Sequence, residues 1–179
     1  MNGPAGATVY TVRMSISAPP AADVAAEDAL AAAREKQAAV VPSLSELKEE
    51  FAFLGNWEEQ CEYLMDLGLD LPKLPASAKT EDTRVHGCQS NVWMVVDGDE
   101  HLHIAAESDA MIVNGLVAVL LSIFDGKTPA EVLEADEAAA FADLGLDEHL
   151  SSARKSGLAG MVQRIRGEAA RLRVEGAAS

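Results

Sequence analysis

A helix without a polar face has to be covered, and this chain contains one. From about residue 110 to residue 124 there is no charged side chain, and Val113, Leu116, Val117, Leu120, Leu121 and Phe124 spread round most of the helical surface. A helix that is apolar on nearly every side belongs inside a core. This one is too short to cross a bilayer. The remaining elements must therefore assemble around it.

Those elements can be read from periodicity and caps. Ser43 and Glu46 form a capping-box pattern ahead of Leu44, Leu47, Phe51 and Leu54 at helical spacing, with Gly55 as the expected end. Asn56 and Glu59 predict a second helix start. Trp57, Cys61 and Leu64 share one face of that helix and Gly68 closes it. Residues 69–83, with Pro72, Pro75 and Lys79, read as a connection. Val92–Val96 and His101–Ala106 read as strands joined at Asp97-Gly98-Asp99, a hairpin, with a further strand expected near Arg84–Gly87. Ser108 or Asp109 is the expected cap of the apolar helix. Thr128-Pro129-Ala130-Glu131 marks another helix start, Asp136 caps a short helix ending at Gly145, and a last helix runs from about Gly157 to Leu172 on the stripe Leu158, Met161, Val162, Ile165 and Leu172. The pattern is of the α+β class, a small antiparallel sheet of about three strands packed against helices.

At 179 residues the chain has room for one domain. Residues 1–42 are Ala- and Pro-rich, carry Pro4, Pro19, Pro20 and Pro42, and are expected to be a largely disordered tail in which Ala29–Ala39 forms a frayed helix. The folded domain is expected over 43–175, with 176–179 as a short tail. Met14 is an alternative start that would make residues 1–13 a mis-assigned leader. Acidic residues outnumber basic ones 29 to 14, which argues against nucleic acid as a partner because phosphate would be repelled. No apolar run reaches membrane-spanning or signal-peptide length, so a cytoplasmic protein without membrane attachment is expected. Cys61 and Cys88 stand in unrelated contexts and suggest neither a disulfide framework nor a zinc site; Cys61 reads as a core residue.

Cys88 is different. It follows Gly87 on what reads as a loop leading into a strand, in the run Arg84-Val85-His86-Gly87-Cys88-Gln89-Ser90-Asn91-Val92-Trp93. A free cysteine is most often a small buried hydrophobe, but a loop thiol can be nucleophilic if its thiolate is favoured. Arg84, His86 and the backbone N–H groups of the turn are the nearby groups able to do that. No second cysteine lies close in sequence, so a CxxC couple is absent. None of His86, His101, His103 and His149 carries the local signature of a general base. His101 and His103 read as solvent-facing strand positions rather than metal ligands. No phosphate-cradling glycine loop is present. Two function classes stay open on the residues alone: an independent cysteine-dependent thiol enzyme, and a non-catalytic interaction module in which Cys88 is inert.

The same run resembles the cysteine segment of SufE-type sulfur-acceptor proteins, which partner cysteine desulfurases in iron–sulfur cluster assembly. Further stretches resemble that family in the same order: Asn56-Trp57-Glu58-Glu59, Tyr63-Leu64-Met65-Asp66-Leu67-Gly68 with Leu71-Pro72, Ser108-Asp109-Ala110-Met111-Ile112-Val113-Asn114-Gly115-Leu116, Leu144-Gly145-Leu146, His149-Leu150-Ser151, and Arg154-Lys155-Ser156-Gly157-Leu158. The resemblance covers about 44–172. It implies a SufE/IscU-like fold without the three-cysteine cluster site of IscU-type scaffolds. It also implies that Cys88 accepts sulfane sulfur as a persulfide from a SufS-type cysteine desulfurase, stimulates that enzyme, and passes the sulfur to a cluster scaffold complex. Arg84, His86, Gly87, Gln89, Ser90, Asp109 and Arg154 become candidates for loop support or partner contact. The resemblance implies no cofactor of the chain's own, the pyridoxal phosphate being the desulfurase's. In the family the cysteine loop can be sheltered in the free protein and move outward on docking, and the sequence leaves open which position the Cys88 loop takes.

Overall fold

The computed structural model describes residues 21–177. At its centre is α4 (Met111–Phe124), in which every residue from Gly115 to Leu121 is buried together with Val113, Ile123 and Phe124. Removing side chains such as Leu116, Leu120 and Phe124 from water contributes about 1.5–3 kcal/mol each. Against α4 lie α2 (Leu44–Phe53), α3 (Trp57–Asp70), the inner face of a hairpin and α8 (Ser152–Ala177). Short helices α5 (Pro129–Glu134), α6 (Glu137–Asp143) and α7 (Leu146–His149) connect α4 to α8.

The hairpin pairs β1 (Val92–Gly98) with β2 (Leu102–Ser108) antiparallel, in a register that sets Met94 opposite Ala106 and Val96 opposite Ile104. Strand alternation divides its side chains. Val92, Met94, Leu102, Ile104 and Ala106 enter the main core. Trp93, Val95 and Ala105 face the other way, into a second cluster with Leu74 and Ala78. The strand expected near Arg84 is reduced to a single bridge between Arg84 and Trp93, so the sheet has two strands among the described residues. The fold class is α+β, as the sequence pattern indicates.

The tail reading of residues 1–42 is corrected over its second half. Helix α1 (Ala21–Val40) covers the outer face of the hairpin, burying Ala33 and Gln37. Arg34 pairs with Asp97 of β1, and the Gln37 amide donates to Pro72 O (2.6 Å) and Ala106 O (2.9 Å) and accepts from Ala106 N (3.2 Å). The Ala-rich sequence hides this because α1 joins the second cluster through Leu30 and Ala33, too little apolar surface to show as a helical stripe. Residues 1–20, including the prolines at 4, 19 and 20 and the alternative start at Met14, lie outside the described residues. At the other end, 176–177 continue α8 and 178–179 lie outside the description.

Caps explain most helix starts. Ser43 with Glu46 and Thr128 with Glu131 form full capping boxes, and Asn56 and Asp136 accept from the N–H groups of Glu59 and Ala139. Two expected helix ends move. Helix α2 stops at Phe53, before Gly55, and α3 runs through Gly68 to Asp70. Gly68 serves packing instead: a Cβ there would overlap the Met111 carbonyl, and one at Gly115 would overlap the Leu64 carbonyl. These two glycines let α3 and α4 cross backbone against backbone. Cys61 is only half-buried, because the buried positions of α3 are Leu64 and Gly68, nearer its C-terminal end.

Candidate functional site

Cys88 sits on the long connection between α3 and β1, whose only helical turn is Ala76–Ala78. Consecutive residues at the end of β2 hold this connection. Ala106 reaches Pro72 through the Gln37 amide. The buried Glu107 carboxylate accepts from Leu74 N (2.7 Å) and Lys79 Nζ (2.7 Å). Ser108 Oγ donates to Asn91 O (2.9 Å), and the Asp109 carboxylate accepts from Asn91 N (3.0 Å) and Nδ2 (2.7 Å). Arg84 Nη2 donates to Asn91 Oδ1 (2.7 Å), and Val85 N donates to Val92 O (2.8 Å). From α8, Arg164 donates to Asp82 O (2.6 Å).

These bonds close a tight base under the tip. The tip residues 86–90 make no hydrogen bond among the described residues apart from the 3.2 Å pairing of His86 Nε2 with Glu81. Gly87 turns the chain there with φ +89°, a conformation that favours glycine, and nothing lies within 4 Å of where its Cβ would be.

Cys88 itself is half-buried and packs against the main core. It borders a cavity of about 120 Å³ between the tip, the start of α4 and α8, whose apolar wall includes Ile112, Leu116, Leu158 and Met161. Burial pushes the Cys88 thiol above the ordinary thiol value. The expectation that Arg84 or His86 favours the thiolate is corrected: the Arg84 guanidinium is turned to Asn91 and Glu81, and His86 faces Glu81. The resting thiol is therefore half-buried, and burial favours its protonated form.

The structure sorts the other sequence candidates. Gln89, Ser90 and Arg154 share the cavity with Cys88. Arg154 is exposed and forms no ion pair among the described residues, so its guanidinium is available at the cavity rim. Arg84 and Asp109 meet through Asn91, an intermediary that sequence reasoning leaves out. Asp109 is not the helix cap; Ala110 occupies that position without a side-chain bond. Also missed are Gly157 and Gly160 of α8. A Cβ at Gly157 would lie 2.8 Å from Cys88 Sγ, and one at Gly160 would lie 3.1 Å from His86 O. Their signal is visible in the sequence, since two glycines three residues apart in an otherwise helical stripe mark close approach by another backbone. His101 and His103 are exposed, away from the cavity. Among the described residues, no three His, Cys, Asp or Glu side chains are grouped to hold a metal. No helix among them is long and apolar enough to cross a membrane.

Residues 45–169 match the family model for SufE, the Fe-S metabolism associated domain. The chain is 43% identical over 132 residues to an uncharacterized SufE-like protein of Rhizobium meliloti, covering 71% of this chain and 94% of that one. It is 41% identical over 132 residues to a SufE-like protein of Rhizobium etli, covering 71% and 89%. A solution structure of a hypothetical protein from Thermus thermophilus shares the fold, with TM-score 0.59 at 22% identity over 73% of this chain and 96% of that one. The match spans every element from α2 to most of α8, including the whole cysteine-bearing connection, and on that ground the chain belongs to the SufE family and serves iron–sulfur metabolism.

Proposed function

We propose that this chain is a sulfur acceptor and carrier for iron–sulfur cluster assembly, loaded on Cys88 by a SufS-type cysteine desulfurase. The observation that carries the reading is the Cys88 thiol itself, half-buried on a tip held by packing beside a small apolar cavity. In the transfer, the Cys88 thiolate attacks the outer sulfur of the desulfurase's cysteine persulfide. A new S–S bond forms on Cys88, the old one breaks, and the desulfurase cysteine leaves as thiolate. The exchange is balanced without an added oxidant and needs no resolving cysteine. The cavity then shields the persulfide from reductants and from further oxidation.

The chain supplies the sulfur-bearing residue and its shelter; pyridoxal phosphate stays with the desulfurase, and a cluster scaffold complex receives the sulfur. The natural compartment is a reducing cytoplasm. An independent thiol enzyme is the weaker reading, since among the described residues no histidine is hydrogen-bonded to Cys88 to serve as its base, and His86 pairs with Glu81 instead.

The test mixes a SufS-type desulfurase, L-cysteine and a reductant with wild-type protein or Cys88→Ser, and records sulfide release and intact mass. A faster rate and an adduct of about 32 Da, both lost in Cys88→Ser, are the expected result for a sulfur bonded to the thiolate. Stimulation that survives in Cys88→Ser would make the chain an allosteric partner and overturn the carrier role.

A further inference from the structure

The tip that carries Cys88 has a seat on α8, and the seat exists because position 157 has no side chain. A Cβ at Gly157 would lie 2.8 Å from Cys88 Sγ, 3.5 Å from its Cβ and 3.6 Å from its Cα. One turn further, a Cβ at Gly160 would lie 3.1 Å from His86 O and 3.4 Å from Val85 Cγ1. Backbone conformation does not call for either glycine: both lie inside α8, and neither has positive φ. Glycine inside a helix is less favourable than alanine, so neither position gains helix stability from it. Gly167, in the same helix, has nothing within 4 Å of its would-be Cβ and bears no such contact.

Helix α8 cannot yield to a clash at this point, because Leu158, Met161, Val162 and Ile165 fix it in the core. The tip can. Residues 86–90 are tied by no backbone hydrogen bond among the described residues, while Val85 and Asn91 on either side are held. A side chain at 157 must therefore displace the Cys88 sulfur, by rotation about its χ1 or by a shift of the tip, rather than the helix.

We propose that Gly157 is a positioning residue for Cys88: the bare backbone of α8 at this point lets the sulfur settle into its cavity, and any side chain there turns the sulfur out of that seat and exposes the thiol. The consequence for sulfur transfer rests on the carrier reading above, in which a sheltered and an exposed position of one tip alternate. The geometry of the seat does not depend on it.

The test uses the full chain with Cys61→Ser, so that one thiol reports. Alkylation of Cys88 by iodoacetamide is followed across pH for the parent and for Gly157→Ala, Gly160→Ala and Gly167→Ala. Gly157→Ala is expected to react roughly tenfold faster near neutral pH, with its pH midpoint shifted down toward that of an exposed thiol. Gly160→Ala should show a smaller rise, and Gly167→Ala the parent rate. A parent-like rate and pH profile in Gly157→Ala would overturn the proposal. If Gly157→Ala melts early, adding Cys88→Ala must restore the melting temperature, since the clash is with sulfur; failure to restore it overturns the proposal as well. Faster alkylation of Gly157→Ala together with no sulfur adduct on the parent after incubation with a desulfurase would support the seat while refuting the carrier reading, so the two fail separately.

Discussion

Asn91 and Asp109 grip each other through both backbone and side chain. The Asp109 carboxylate takes the Asn91 N–H at 3.0 Å and its Nδ2 at 2.7 Å, while Asp109 N donates to Asn91 O at 3.2 Å. Arg84 joins from the other side of the tip by donating to Asn91 Oδ1. One asparagine thus fastens both ends of the cysteine tip to the junction between β2 and α4.

Asp109→Ala removes two accepted hydrogen bonds at an exposed position. The expected loss of stability is about 1 kcal/mol, at the low end for paired bonds because water replaces them. The larger effect should be on the tip: Cys88 alkylation is expected to rise several-fold, and Asp109→Asn, which keeps one acceptor oxygen, should fall between. Equal alkylation rates in all three proteins would show that the grip does not restrain the tip.

The thiol of Cys88 gives a pH prediction with a definite sign. Burial raises its folded-state value above the unfolded one, so the folded chain holds this proton more tightly. The resulting stabilisation is complete below the ordinary thiol value and is lost as pH climbs through the raised folded value. Denaturation midpoints of the wild type should therefore decline over alkaline pH more than those of Cys88→Ala. In the native Cys61→Ser protein the alkylation midpoint should lie above that of the same protein in denaturant. Identical midpoints in the native and denatured states would contradict the sheltered position.

The helix that constrains the fold most is also the easiest to read: α4 spans Met111–Phe124, where an uncharged apolar run has to be buried. Capping boxes at Ser43 and Thr128 are legible for a similar reason, since two side chains at fixed spacing satisfy backbone groups locally. Reading fails where the reason for a residue lies in another element. Gly68 and Gly157 look like helix breakers along the chain, yet both lie inside helices, because a neighbouring backbone or sulfur occupies the space of a Cβ. Helix α8 accordingly starts at Ser152 rather than near Gly157. At the site, the placement of Cys88 on a loop ahead of β1 is legible from Gly87 and the β pattern that follows. The electrostatic role given to Arg84 and His86 is not supported, because adjacency in sequence does not decide that both turn to Glu81.

The crossing of α3 over α4 can be tested through its two glycines. An added methyl at Gly68 or Gly115 meets backbone carbonyls that cannot rotate away. Gly68→Ala and Gly115→Ala should each lose about 3 kcal/mol or more, above the usual range for overpacking against side chains. Gly167→Ala, in open space, should gain slightly from helix propensity. Urea denaturation of the three variants checks this, and a near-neutral Gly115→Ala would mean that the two helices do not meet as closely as described.

Gln37 is the polar residue by which α1 enters the structure. It is 1% exposed and satisfies Pro72 O together with both backbone groups of Ala106, on the edge of β2 that β1 does not cover. Asp125, just past the end of α4, does the same for Ile104 N, and Asn114 for Ser108, so side chains of α1, α4 and its C-cap take the place of a third strand along this edge. Gln37→Ala strips the partners from Ala106 while α1 still shields it. The expected cost is about 2–4 kcal/mol, from unsatisfied groups worth about 1–3 kcal/mol each. Because the tip of Cys88 is fastened elsewhere, at Asn91 and Val85, its alkylation rate should stay at the wild-type value. Hydrogen exchange should locate the damage: the Ala106 amide is expected to lose protection while the amides of α4 keep theirs. A Gln37→Ala protein with unchanged stability and a still-protected Ala106 amide would show that α1 does not seal the sheet edge.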